Sequence, residues 1–539
     1  MGALNLQWVS DSIGYDYKRW KQGDTVLISA QTGTGKTYFI KEVLLDHMDS
    51  GQRLLFVCNR TNLKRQLKKD LLKKYKQPIP ETLNELDDVT TIADKVTITS
   101  YHAISNAIQQ EIYDPNASKS DFNLYDYIVF DECHFIFSDG NFNNKTRFAY
   151  KKVVHDYYPH IVKIFISATM HEIKEPIIRS VEKIKNNGFG LDVPTVHEYS
   201  TGNDYSYVKP LYFSNIDSII NLIKNDSSNE KWLVFISDIN RDGNKLLEEL
   251  GEDRCSLIKS GTKSDELNYI INNSKFTKKV LVSTKAMDNG INIKDSKLKN
   301  IVIMTWDRIT FIQMLGRKRI DIDNPEEVNL YIPTRFKKSF LSKLKTYRQK
   351  QVEVELLDSN KMEFYKKYDN DLKDFNGMND VFYRDVTTGE IKHNLVGCKR
   401  LYEDIKFAEH MINAFDIDKK FAYIHEQLSW LGISDDEPEE NLIEDVVIKE
   451  EVISLEMYLD TIAGQKLFDE EQHKLSDLII KELITLSSQT DYRTKKLKPS
   501  TLESIVRNQL ELPFAVSKPK QETSGVMRKK RYIIITRIK

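Results

Sequence analysis

Cysteine is scarce in this chain, with only Cys58, Cys133, Cys255 and Cys398 among 539 residues. They lie far apart and form no CxxC pair, which excludes the close ligand spacing of a zinc site and the disulfide framework of a small secreted domain. No run approaches the roughly eighteen uncharged apolar residues that a membrane span needs. The opening stretch MGALNLQWVSDSIGYDYKRW lacks a basic-then-apolar leader layout, and Leu6 stands where a myristoylation signal wants Ser or Thr. No membrane partner is expected, and a reducing cytoplasm is the expected compartment. Also missing are a Cys/His ladder, paired nuclease carboxylates and a second phosphate-binding loop, so a fused nuclease has no support.

Net charge is nearly absent as well, at −1. The sum hides an asymmetry. Residues 435–456 hold ten Asp or Glu against one Lys, while residues 491–539 hold thirteen Lys or Arg against four acids. Any surface for a polyanion must therefore be local. What is present is 40% hydrophobic and 29% charged residues, the balance of a globular protein. At this length it divides into about three or four domains.

From about residue 24 a short β-branched and aromatic run is followed by a turn and a helical stretch, again and again. This is the grammar of βα units around a parallel sheet. The predicted strands TVLISA, RLLFVCN, VTITS, YIVFDE and VKIFISAT make one lobe over residues 1–195. Residues 186–205, rich in Gly, Asn and turn formers, are expected to be the junction. The runs VKPLYF, KWLVFISD, CSLIKS, KVLVST, LKNIVIMTW and VNLYIP make a second lobe over 206–340. Charged, aromatic-containing helices follow over 341–434, then an acidic linker over 435–460 and a basic module over 461–539.

The segment AQTGTGKT, Ala30, Gln31, Thr32, Gly33, Thr34, Gly35, Lys36 and Thr37, lies between a predicted strand and a helical run. That context turns a glycine-rich turn into a phosphate cradle. Backbone amides close on the phosphates, Lys36 meets the β and γ positions, and the Thr37 hydroxyl helps hold Mg²⁺. About 95 residues on, YIVF ends in DECH. There Asp131 can anchor the metal while Glu132 orients and deprotonates an attacking water. Alone, such an acidic pair is more often a solvated turn; downstream of a phosphate loop it is specific.

Taken together these motifs resemble those of the superfamily 2 helicases, over about residues 20–335. The resemblance implies an ATP-dependent nucleic-acid helicase with two tandem RecA-like lobes and ATP and Mg²⁺ as cofactors. Ser167, Ala168 and Thr169 match the motif that couples hydrolysis to strand separation. CNRTNLKRQ and TITSYH place Asn59, Arg60, Thr99 and Ser100 where the first lobe would grip nucleic acid. In VSTKAMDNGINI, Thr284 would touch nucleic acid and Gly290 and Asn292 the nucleotide, Asn292 replacing a common aspartate. QMLGRKR supplies Gln313 and the finger Arg317. The usual second finger position holds Ile320, leaving Arg319 as the nearest candidate. His134 marks the DExH branch, in which it bridges to the glutamine at Gln313. The forms QMLGRKR and DNGINI are similar to helicases of phages, mobile elements and viral replication origins, which favours DNA over RNA.

No glutamine motif for adenine precedes the phosphate loop. Tyr15, Tyr17 and Trp20 could stack on a base or belong to the core. At the C-terminus KPSTLESIVRNQLEL, LPFAV and RKKRYIIITRI suit a winged helix with Arg528, Lys529, Lys530 and Arg531 on its wing, or a solvated basic tail on another small domain. Beside a helicase, the motif set also admits a double-strand translocase that never separates strands and a nucleotide-gated clamp with little turnover.

Overall fold

The computed structural model describes residues 2–59, 61–114, 121–138, 145–186, 194–259, 262, 264–284, 292–368, 378, 380–385, 388–443, 455–486, 499–510, 512–523 and 527–538. Arg60 and Gly290 thus lie outside the described residues. Among those described, no helix is long and apolar enough to cross a membrane.

The first lobe is a seven-stranded sheet in the order β3-β4-β2-β5-β6-β1-β7. Its strands are β1 (Thr25–Ser29), β2 (Leu54–Val57), β3 (Thr91–Ile92), β4 (Val96–Thr99), β5 (Tyr127–Asp131), β6 (Val162–Ser167) and β7 (Val196–Ser200). All pair in parallel except β3 with β4. Helices cover both faces, so β5 and β6 are buried along their whole length. Alternate residues feed two cores: Val26, Ile28, Val129 and Ile164 on one face, Leu27, Ile128, Phe130 and Phe165 on the other. Lys163, buried in β6, donates to the carbonyls of Val153 and Asp156, and burial lowers its pKa to about 8.

The stretch expected to be a bare junction carries β7, which pairs with β1 from Thr25↔Val196 to Ser29↔Ser200. Its residues VHEYS alternate weakly and are only partly buried, because an edge strand presents one side to solvent, so the periodicity is faint.

The second lobe is a six-stranded parallel sheet ordered β10-β11-β9-β12-β13-β8. Its members are β8 (Val208–Phe213), β9 (Lys231–Phe235), β10 (Cys255–Ile258), β11 (Val280–Ser283), β12 (Leu298–Ile303) and β13 (Val328–Pro333). One of its cores, with Leu233, Phe235, Ile301 and Ile303, runs on into Met411, Phe415, Tyr423 and Trp430 of the helical region. The long helix Leu395–Asp418 reaches both lobes, since Val396 packs in a first-lobe core and Met411 in the second. Beside it the helix Lys337–Ser359 and the hairpin of β14 (Phe382–Arg384) and β15 (Ile391–His393) complete a separate small core.

The acidic stretch is less of a linker than its composition suggests. Leu442 bridges to Tyr212 on the edge strand β8, and the Tyr212 hydroxyl donates to Asp435 at 2.5 Å. Further on, the helix Leu455–Ile462 buries Leu455, Leu459 and Ile462 in the core of the C-terminal module. The module continues with β16 (Lys466–Leu467), the helix Asp469–Leu486, helical residues 499–509, β17 (Phe514–Val516), β18 (Lys520–Gln521) and β19 (Arg531–Arg537). β19 pairs antiparallel with the other three strands. The module touches the helical region through Lys338, which donates to the Leu510 carbonyl at 2.8 Å.

Candidate active site at the lobe junction

β5, β6 and β1 are neighbours, so the loops at their carboxyl ends converge, as ligand loops do in open α/β sheets. Ala30 closes β1 with its amide on the Ser167 carbonyl at 3.0 Å, and the Cys133 amide reaches the Ile166 carbonyl at 3.1 Å. Residues some hundred positions apart in sequence thus share one edge.

The phosphate loop turns through Gly33 at φ +100° and Gly35 at φ +85°, conformations that side chains disfavour. Thr34 is wholly buried and donates its hydroxyl to the Gln31 carbonyl at 2.8 Å. Helix begins at Lys36, with Thr37 half-buried in its first turn. Gln31 points away from the loop and holds the inter-lobe segment. Its amide exchanges hydrogen bonds with the Asp204 backbone at 2.9 and 2.8 Å, and its own N–H donates to Thr201 Oγ1 at 3.0 Å.

Opposite the loop, Glu132 sits in the left-handed region at φ +48°. For a residue with a Cβ this costs on the order of 1 kcal/mol, and it aims the carboxylate off the strand direction into the cleft. Its Oε1 takes a hydrogen bond from Lys36 Nζ at 3.2 Å. Its Oε2 accepts from Gln313 Nε2 of the second lobe at 3.3 Å, and Arg317 Nη2 donates to Gln313 Oε1 at 3.2 Å. A continuous polar path therefore crosses the junction from Lys36 through Glu132 and Gln313 to Arg317, all of it largely removed from water.

His134 Nδ1 lies 2.8 Å from Ser167 Oγ and 3.5 Å from Glu132 Oε2. His134 and Gln313, the expected bridge partners, thus both come to Glu132 Oε2. The Ser167 hydroxyl also accepts from the Thr169 amide at 2.9 Å, and Ala168 packs against the second-lobe core. Asp131, almost fully buried, ends β5 beside this cluster.

Lobe contact is close at Gly316. A Cβ there would lie 2.8 Å from Thr32 Oγ1 and 3.1 Å from Thr32 Cβ, so only glycine lets the end of helix Arg308–Leu315 meet the phosphate loop. Two backbone hydrogen bonds knit Ile293, the neighbour of Asn292, to residues 317–319: Ile293 N–H donates to the Arg317 carbonyl and Arg319 N–H to the Ile293 carbonyl. Arg319 is half-buried. Lys318 points instead into its own lobe, to the Asp295 carbonyl at 2.7 Å.

Asn59, Thr99 and Ser100 stand just past β2 and at the end of β4, and Thr284 just past β11, on the same carboxyl edges as the cleft. Arg528, Lys529, Lys530 and Arg531 are exposed on the β18–β19 hairpin, away from both sheets. Of the aromatic trio, Trp20 is core, donating Nε1–H to the Tyr199 hydroxyl at 3.2 Å, Tyr17 packs edge-on against Phe39, and Tyr15 is 76% exposed.

Sequence reasoning passed over Trp8 and Tyr38. Their side chains flank Gly35, whose Cβ would lie 3.0 Å from the Trp8 ring and 4.0 Å from Tyr38 Cβ, and they are 43% and 59% exposed. The only sequence cue for Trp8 was a large aromatic shortly ahead of the phosphate loop. Residues 4–9 thread between the lobes, Leu4 N–H donating to the Ile322 carbonyl and Val9 N–H to the Thr34 carbonyl, both at 2.9 Å.

Compared with known families, residues 6–172 match the type III restriction enzyme, res subunit, and residues 214–320 match the helicase conserved C-terminal domain. No curated protein matches the chain. Among solved structures it is similar to S. cerevisiae Dbp5 bound to RNA and ADP BeF3, at 15% identity over 57% of this chain and 79% of that one, with a TM-score of 0.41. The DEAD-box helicase Mss116 bound to ssRNA and UDP-BeF shares 15% identity over 65% and 71%, at a TM-score of 0.43. Mycobacterium smegmatis helicase Lhr bound to ssDNA and AMP-PNP shares 10% over 73% and 59%, at 0.39.

Proposed function

We propose that this chain, an ATP-hydrolysing enzyme built on two helicase domains, uses closure of its lobes to move along nucleic acid and part its strands, with DNA as the track. The observation that carries this reading is the polar path from Lys36 to Arg317, which makes the hydrolytic carboxylate answer to the second lobe. Lys36 supplies positive charge for the β and γ phosphates, and Glu132 orients and deprotonates the water. Arg317 stabilises charge as it develops on the transferring phosphoryl, with Arg319 as the nearest second cation. Asn292 and Gly290 complete the nucleotide side from the second lobe.

The donor set fits a magnesium nucleotide. Thr37, in the first helical turn after the phosphate loop, and Asp131, at the end of β5, lie beside Lys36 and Glu132, whose side chains meet at 3.2 Å. They would hold Mg²⁺, which when bound neutralises charge on the phosphate oxygens. Trp8 and Tyr38 would flank the base. His134, Ser167, Ala168 and Thr169 join the site to the lobe contact and so couple hydrolysis to movement. Asn59, Arg60, Thr99, Ser100 and Thr284 grip the strand.

Two features favour DNA: the forms of QMLGRKR and DNGINI, and the helix, strand, helix, helix order of the basic C-terminal module followed by β17, β18 and β19, with β16, β17 and β18 all paired to β19, which suits a winged helix. ATPase measured with single- and double-stranded DNA and RNA side by side, together with strand displacement, tests the reading. Stimulation by DNA with displacement is expected. Stimulation by duplex without displacement makes the chain a double-strand translocase, and negligible turnover makes it a clamp.

A further inference from the structure

Tyr101 is 1% exposed, begins the helix Tyr101–Tyr113, and immediately follows Ser100, whose hydroxyl caps that helix by accepting from the Ala103 amide. Its ring lies between the two ends of the DECH elbow. It stacks on Phe130 before it, with centroids 6.5 Å apart and planes 26° apart, and on Phe135 after it, at 5.6 Å and 22°. Its hydroxyl donates to the Asp131 carbonyl at 3.0 Å, one peptide ahead of Glu132 in its left-handed conformation. Pairing of β5 with β2 stops at Phe130↔Val57, so this hydrogen bond acts where that ladder has ended.

We infer that Tyr101 is a positioning residue for hydrolysis, holding the Asp131–Glu132 peptide so that the loop at Thr99 and Ser100 governs the aim of Glu132. The carboxyl end of β4 and the hydrolytic elbow are otherwise separated by β2, which lies between β4 and β5. The tyrosine spans that gap with a rigid ring and one hydrogen bond. A strained backbone keeps its shape only when its surroundings fix it, and the ring and hydroxyl together fix both flanks and the centre of the elbow. Displacement of the helix start by a strand seated on Thr99 and Ser100 therefore reaches Glu132 directly.

The inference rests on the reading of Glu132 as the group that orients water. Tyr101→Phe keeps the ring and removes only the hydroxyl. In the full-length protein it is expected to lower kcat with nucleic acid about tenfold, leave KM for ATP within twofold, and shrink the ratio of stimulated to basal ATPase several-fold. Ile104→Ala, a cavity in the same helix on the same core, gives the comparison for destabilisation alone. It should lower Tm at least as much as Tyr101→Phe while leaving the stimulation ratio as in wild type. Wild-type kcat and stimulation in Tyr101→Phe, with Glu132→Gln inactive, would overturn the inference; so would an equal loss of stimulation in Ile104→Ala. Wild-type turnover in Glu132→Gln would instead remove the reading beneath it.

Discussion

Lys36 and Glu132 meet with side chains 12% and 10% exposed, whereas Arg528, Lys529, Lys530 and Arg531 stand in solvent on the C-terminal hairpin. The first pair works where water is scarce, so each group is fixed by its partners and each interaction is strong, directional and hard to replace. The hairpin cations are interchangeable, screened by salt and additive. One region concentrates its chemistry in four side chains across a junction; the other spreads charge over a surface. Breaking a member of the first should abolish a step, and breaking a member of the second should only weaken an affinity.

The largest effects test the buried side. Lys36→Ala should remove nucleotide-dependent turnover altogether, and wild-type ATPase in that variant would dismantle the phosphate-loop reading. Glu132→Gln, nearly isosteric, should keep nucleotide affinity while kcat falls by about 10³-fold, within the usual range for loss of a general base. Weak ATP binding with normal turnover would contradict its role.

Arg317→Ala comes next, with ATP binding to the first lobe spared and kcat lowered by about 10²-fold, the scale of one preorganised donor. Arg319→Ala is its comparison and should cost less than about tenfold, since its segment is held through backbone hydrogen bonds to Ile293. If both variants turn over normally, the junction between the lobes does not form during hydrolysis. Gly316→Ala probes the same junction sterically, forcing Thr32 away. It should lower kcat by about tenfold and leave ATP affinity of the first lobe unchanged; an unaltered kcat would mean the close approach is dispensable.

The smallest effects belong to the hairpin. Replacing Arg528, Lys529, Lys530 and Arg531 by Gln should weaken duplex binding and flatten its salt dependence by about 0.9 in log–log slope for each phosphate the hairpin no longer neutralises. ATPase without nucleic acid should not change. An unaltered affinity and slope would leave the hairpin as solvated surface and remove the winged-helix argument for DNA.

Most of the strands were legible because parallel strands buried on both faces read as continuous apolar runs, and TVLIS, YIVFD and VKIFIS do so plainly. The edge strand β7 and the helix Leu455–Ile462 were not, since one is only partly buried and the other sits among acids. At the site, the glycine and carboxylate motifs announced themselves through residue types that few other uses demand. The contacts of Trp8, Tyr101 and Gln31 did not, because nothing in their own types separates a ring against a glycine turn, a hydroxyl on a strand-end carbonyl or an amide on the inter-lobe segment from ordinary core and loop residues.

The amino-acid sequence by itself determined which atoms are available for chemistry: a lysine and threonine after a glycine turn, two carboxylates at a strand end, an arginine after a buried helix. Local spacing suffices there, because a phosphate loop and a strand-end carboxylate pair are made by neighbours in the chain. Only the tertiary structure decided that Glu132 is shared by Lys36, His134 and Gln313, that Gly316 must admit Thr32, and that Tyr101 reaches the Asp131 carbonyl. Those relations depend on strand order and on how two lobes meet, and both are set by packing between residues far apart in sequence.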